Sequence, residues 1–435
     1  MKQVPLSPIV FFIVLLVSSG SMESADRPNI SRPKLAIPGP IAPASGTVDS
    51  TTTPAKEVAK FYVVLAHARY SESLETAKQL FDSLNRFVRE PSAVTHEEAK
   101  SAWIAAHRVY STTEVFRFGN PNVDAWETRV NAWPIDEGFL DYVSPGYAYE
   151  GGNPHALYNL IASDFQIAAS FITEARSETD PKAGVYRGFT DNETNVATGY
   201  HAIEFLLWGQ DLNGEPRANG QRSYTDYVVG TGANAGRRGE YLVAVGGILV
   251  ADLLEAVQDW DPANPAFYSK LFRDLPVEAR LDRIILGMGG LSNAELAGER
   301  ILVSLLASDQ EEEQSCFSDT THLGIHENAL AIETIYLGKH ERRDGSVVSG
   351  PSLSDLVAKI DPALDARLKS QFAKTREALG KVVNRAETVE PFDRMILAEN
   401  SDGRAVLNDL IAALKAQTES LEEIRLRAGE LVALR

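Results

Sequence analysis

The 435-residue sequence has a single cysteine, Cys316. No intramolecular disulfide can form, so the fold must rest on buried apolar surface, which a chain of this length can supply. Basic residues are also in short supply. Forty-two Lys and Arg face 60 Asp and Glu, for a formal net charge of −18. No long Lys/Arg run offsets that charge, and a nucleic-acid binder needs such a patch to neutralise phosphates. The acidity favours solubility and attracts cations, but it names no partner. Beyond the first 17 residues no apolar run approaches the roughly 20 residues of a membrane-spanning helix. Several catalytic signatures are missing too. His96-Glu97, His326-Glu327 and His340-Glu341 are each followed at the fifth position by a residue other than histidine, so there is no His-Glu-x-x-His. No Gly-x-Ser-x-Gly elbow occurs. "VVGTGANAG" (228–236) has its third glycine one place late for a dinucleotide fingerprint and no β-α-β surroundings. It reads as a loop leading to a helix from Gly239.

What is present begins with an export-like start. Lys2 gives a positive charge, "IVFFIVLLV" (9–17) is apolar but short, and "SSGSMESA" offers small residues for cleavage near Gly20 or Ala25. Residues 1–25 are therefore read as a signal peptide rather than an uncleaved anchor, with no stable membrane span after its removal. No cysteine lies nearby to carry a lipid. Residues 26–54 hold six prolines with Ser, Thr and Gly, which removes backbone donors and fixes φ, so an extended tether is expected.

From Ala55 the periodicity is helical. Phe61, Val64, Leu65 and Ala68 fall at i, i+3, i+4 and i+7, and Leu74, Ala77, Leu80, Phe81 and Leu84 extend the stripe. A capping-box pattern, Thr95 then Glu98, opens the next helix. Residues 119–153 read as an irregular connection, "HALYNLIASDFQIAASFITEA" as helix, and about 194–208 as a helix stopped by Gly209. "DLNGEPRANGQRS" is a polar break, followed by helical segments to the C-terminus. The fold class is all-α, with two helical bundles expected at 55–212 and 213–435. "AIEFLLWG" (202–209) and "AIETIYLG" (331–338) form a short internal echo that would fit an ancient duplication.

The chemistry concentrates in "GYHAIEFLLWGQD" (199–211). His201 and Glu204, three apart, share one helix face and can reach one point. Imidazole nitrogen with carboxylate oxygen suits zinc, iron or manganese. An ordinary His–Glu hydrogen bond is the plain alternative, but the apolar flanks make an uncompensated carboxylate costly. Gly199, two residues before His201, is expected to leave room beside the pair for a neighbouring group. Candidate further donors are Glu114 in "STTEVFRF", with Arg117 as a rival partner, and Asp136 or Glu137 in "NAWPIDEGFLDY". His322 and His326, four apart, form a second candidate pair that Gly324 weakens, with a turn and an N-cap at Ser318 or Asp319 expected before it. Cys316 reads as an idle buried thiol rather than a soft ligand.

The motif Gly199-x-His201-x-x-Glu204, together with "EVFRF", "NAWPIDEGFLDYV", "GMGGLSNAELAGER" and "SCFSDTTH", resembles the imelysin-like proteins over roughly 58–435. That family comprises exported bacterial proteins named for an insulin-cleaving peptidase and includes iron-regulated proteins. The resemblance implies two helical bundles with a pocket between or beside them, and a periplasmic or cell-envelope location in a Gram-negative bacterium. It also implies a link to iron uptake, with metal held by His201, Glu204, Glu114 and Asp136. The ion would be iron or zinc, and the other partners a peptide or iron-uptake components of the envelope. Two alternatives stay open: a metallopeptidase of the imelysin type, for which no general base is evident, and a helical scaffold for a partner protein or an iron carrier.

Overall fold

Pro54 fits the first turn of a helix, where its missing N–H costs nothing, and helix α1 runs from there over Pro54–Arg89. The computed structural model describes residues 53–147, 153–175, 194–212, 219–264 and 268–434. The signal peptide and all but the last two residues of the tether lie outside them. The inward face of α1 is rotated from the expected stripe: Tyr62, Val63, Ala66 and Tyr70 are buried with Leu65 and Ala68, while Phe61 and Val64 lie at its edge. Aromatic rings were the stronger signal, since Tyr62 and Tyr70 enter a cluster with Phe116, Trp260 and Phe272.

Helix α2, Ala93–Ser111, starts earlier than the Thr95–Glu98 pattern indicated. Ser92 is the N-cap and Thr95 closes the capping box, with the Thr95 N–H donating to Ser92 Oγ at 3.2 Å and the Ser92 N–H to Thr95 Oγ1 at 3.1 Å. Residues 119–147 are mostly irregular, as expected, with short helices at Pro121–Glu127 and Glu137–Leu140. The predicted helix over 155–175 is helical only at Ala169–Ala175. Asn159 sits at φ 49°, and the N–H groups of Asn159, Leu160 and Ile161 bond to the carbonyls of Gly138, Phe139 and Leu140 at 2.9, 2.9 and 3.1 Å. Pairing with the preceding segment thus replaces the intrahelical bonds.

Helix α3, Gly199–Trp208, begins five residues later than the apolar run and ends as predicted at Gly209, φ 71°. Helix α4, Ala235–Trp260, packs along α1 and against α3. Helix α5, Val277–Gly289, continues without a break into a π-helical segment, Gly290–Val303. Helix α6, Thr321–Tyr336, passes through Gly324 and rests on α2, on the π segment and on α7, Pro362–Thr388. Helix α8, Ser401–Leu426, packs on α7, α5 and the π segment. Among the described residues the only strands are a hairpin, Lys339–Glu341 with Val347–Ser349, so the fold is all-α. No described helix is long and apolar enough to cross a membrane. Both echo sequences end a helix at a left-handed glycine, Gly209 and Gly338.

The turn region around Asp141 is held by charge inside the protein. Asp141 Oδ2 accepts from Arg222 at 2.7 Å and from Arg238 Nε at 2.6 Å, and Oδ1 from Arg238 at 3.1 Å, with all three side chains buried. Burial opposes the charge, yet the two guanidiniums outweigh it and hold the carboxyl below its ordinary range. The stability it contributes is therefore present above about pH 4 and lost as pH falls through the folded value. Asp141→Asn would strand two buried cations at a cost of about 3–5 kcal/mol at pH 7. Urea unfolding at pH 7 and pH 3 should show a gap between variant and wild type that narrows at the lower pH.

Candidate functional site

Helix α3 is apolar on every side and buried over its whole length. It enters across the chain at Val130, where the Tyr200 N–H donates to the Val130 carbonyl at 2.7 Å. Gly199 has φ +90°, and a Cβ there would stand 2.6 Å from that same carbonyl oxygen. This glycine therefore serves a close backbone crossing rather than space beside the pair. Trp103 Nε1 donates to the Tyr200 carbonyl at 2.8 Å, and Tyr227 Oη to that of Leu206 at 2.5 Å.

Inside this frame His201 Nδ1 and Glu204 Oε2 lie 2.8 Å apart. Glu204 Oε1 accepts two further bonds, from the Ser318 N–H at 3.0 Å and the Ser318 hydroxyl at 2.6 Å. The two residues do meet, but they face each other instead of converging on a common third point. The imidazole is enclosed by Trp103, edge to face at 6.4 Å, and by His107 at 5.1 Å between ring centroids. Burial pushes the His201 imidazole down to about 3 and the Glu204 carboxyl up to about 8. His107 is likewise pushed down to about 3 by burial, with His201 as the next cause. Both rings are therefore neutral at pH 7. Glu204 is itself held neutral below about pH 8; once its proton is released it accepts from Nδ1–H, and the ring then presents its Nε2 lone pair. That nitrogen is buried and has no hydrogen-bond partner.

Glu114 follows α2 in a single 3₁₀ turn and is fully buried. Its partner is not Arg117 but Arg300, and its Oε1 also accepts from Asn328 Nδ2 at 3.1 Å. Arg300 bonds Glu295 at 3.0 Å as well. The i→i+5 register of the π segment is what sets these two side chains, five apart, on one face. Arg117 instead reaches Asp124 at 2.7 Å. Glu114 lies close enough to His201 to bias its charge, and so does Arg300 in the opposite sense. Asp136 is buried in a different network, accepting from Thr194 Oγ1 at 2.7 Å and from Asn153 and Tyr147. Its neighbour Glu137 bonds Gln210, and burial pushes that carboxyl up to about 8.

The fit to a metal ion is thus good at one atom and poor at the other assigned donors. A neutral imidazole braced by a carboxylate is the usual form of a metal-ligating histidine. The oxygens of Glu114 are taken by a guanidinium and an amide, and those of Asp136 by amide and hydroxyl donors. Among the described residues no three His, Cys, Asp or Glu side chains stand where they could hold one ion. The second histidine pair is helical throughout, capped at Thr320 rather than at Ser318 or Asp319. His322 is buried, however, whereas the partly exposed His326 lies 3.5 Å from Glu327, which Arg108 holds. Cys316 is half-buried, and desolvation pushes its thiol well up.

Sequence reasoning missed the parts of the site that come from afar: Ser318 on Glu204, His107 beside His201, and Arg300 with Asn328 on Glu114. Ser318 and Arg300 lie inside "SCFSDTTH" and "GMGGLSNAELAGER", the two stretches singled out in the second half of the chain.

The imelysin family model matches residues 66–421. Iron-regulated protein A of Synechococcus elongatus (strain ATCC 33912 / PCC 7942 / FACHB-805) is 24% identical over 325 residues, covering 72% of this chain and 71% of the relative. Among solved structures, an iron-regulated protein A precursor from Parabacteroides distasonis ATCC 8503 is similar with a TM-score of 0.61 at 18% identity, covering 88% of this chain and 98% of the other. An imelysin-like protein from Psychrobacter arcticum 273-4 gives 0.54 at 11% identity, covering 86% and 95%. These structural likenesses speak for the fold. The family match reaches from the first long helix to the last, and the chain belongs to the imelysin family.

Proposed function

We propose that this chain is an exported iron-handling protein of the cell envelope that takes a metal ion on His201 Nε2. The observation that carries the reading is that nitrogen itself: buried and unpartnered, on a ring whose sister Nδ1 lies 2.8 Å from the Glu204 carboxyl, whose proton an arriving cation would displace. In this reading Glu204 fixes the tautomer and ring orientation and raises the basicity of the ring, and Ser318 fixes Glu204. Trp103 and His107 exclude water, which strengthens any charge interaction at the nitrogen. The link to iron draws on the relatives named for iron regulation, and export on the charged and apolar start of the sequence. The ion is cargo rather than a structural element, because α3 is held by its own apolar packing and backbone bonds.

The peptidase reading is less well supported by the geometry. It needs a carboxylate free to take a proton from water. Both oxygens of Glu204 are engaged, and Glu114 is held by Arg300 and Asn328.

Two variants test the proposal on the purified mature chain, with metal content by elemental analysis and affinity by titration. His201→Ala should abolish stoichiometric binding of iron or zinc while helicity by circular dichroism stays unchanged. Glu204→Gln should weaken affinity by about 10–100-fold, the usual loss when the group orienting a ligating histidine is altered. Unchanged stoichiometry in His201→Ala would reject the site.

A further inference from the structure

Between the 3₁₀ turn Gln310–Glu312 and helix α6 lies a short segment with an unusual concentration of buried polar atoms. Both carboxylate oxygens of Glu313, both amide atoms of Gln314 and the Ser315 hydroxyl have no hydrogen-bond partner. The three residues are 2%, 3% and 0% exposed. A buried amide or hydroxyl without a partner costs about 1–3 kcal/mol, and an ionised carboxylate far more. Folded proteins leave few such groups, and three in succession point to a ligand that satisfies them.

The segment is tied to the His201 centre from two sides. Ser318, a few residues on, makes the two bonds to Glu204. Gln314 and His107 both border Gly324: a Cβ placed there would be 3.6 Å from Gln314 Oε1 and 3.9 Å from His107 Cε1. The His107 ring is in turn 5.1 Å from that of His201. Gly324 itself is informative. It sits in a helix interior, where alanine is about 1 kcal/mol better. An added methyl would meet nothing closer than 3.6 Å. Neither backbone strain nor a clash calls for glycine there: an added methyl would sit in ordinary contact with Gln314 Oε1, Ser111 Oγ and His107 Cε1, so what glycine keeps is the room of one methyl group beside an unpartnered amide.

We propose that Glu313 and Gln314 are the further ligand-binding residues of the His201 site, so that a cation is shared by an imidazole of α3 and oxygen donors of the 313–315 segment. The inference rests on the metal-binding reading above. One imidazole, one carboxylate and one amide oxygen form a mostly hard donor set, suited to iron(II) or manganese(II) rather than to a thiophilic ion. It replaces Glu114 and Asp136, whose oxygens have other partners.

The test is anaerobic titration of the full mature chain with iron(II), in parallel with manganese(II) read by electron paramagnetic resonance and with thermal unfolding of the metal-free proteins. Glu313→Gln and Gln314→Leu should each weaken binding at least tenfold, with the metal-free melting temperature unchanged or raised. Gly324→Ala should raise the melting temperature and weaken binding together, a combination that a purely structural glycine would not produce. Loss of binding in His201→Ala with wild-type affinity in Gln314→Leu, Gly324→Ala and Glu313→Gln would overturn this inference and leave the His201 reading standing. Wild-type binding in His201→Ala would overturn both. Should Glu313→Gln fail to fold, the Gln314 and Gly324 variants decide.

Discussion

A carboxylate on one nitrogen of an imidazole decides what the other nitrogen can do. Glu204 sits in a helix without a polar face, in a setting where a lone charge would be expelled or neutralised. Burial pushes its carboxyl up to about 8, only partly offset by its bonds: one oxygen meets His201 and the other meets the Ser318 amide and hydroxyl. That arrangement engages both oxygens of the carboxyl group and leaves Nε2 of the ring as the buried atom without a partner. Much of the surrounding structure holds α3 in place: the crossing at Gly199 and Val130, the Trp103 and Tyr227 bonds to its backbone, and the aromatic enclosure.

A second charge network bounds the site. Arg300 is fully buried and binds Glu114, Glu295 and Asn328, which joins the end of α2, the π segment and α6. Such a network contributes little net stability over a well-packed apolar core, but breaking it is costly. Its consequence here is electrostatic. A cation stands near His201, balanced by two carboxylates, and both Arg300 and Glu114 act on the charge of the imidazole.

Much of the fold was legible because long helices write a periodic apolar pattern. The positions of α1, α4, α7 and α8 follow from it, and Gly209 stops α3 as glycine should. Errors arose where tertiary contacts override local preference. Residues 155–168 have helical composition, but 159–161 bond to 138–140, and the face of α1 was displaced because tyrosines carried more of the burial than the aliphatic stripe. At the site, the local pair His201–Glu204 was visible at a spacing of three. The partners that give it meaning are separated from it by about a hundred residues, and no spacing rule connects Ser318 to Glu204 or Arg300 to Glu114. Glu114 and Asp136, read as candidate metal donors, are both buried. Burial alone could not say whether a metal or an internal donor satisfies them.

X-ray absorption spectroscopy on the metal-loaded mature chain addresses the central claim directly. The account predicts a first shell of oxygen and nitrogen donors with the outer-shell scattering of a single imidazole, and loss of that imidazole signal when His201 is replaced. A shell without histidine scattering, or one containing sulfur, would contradict it.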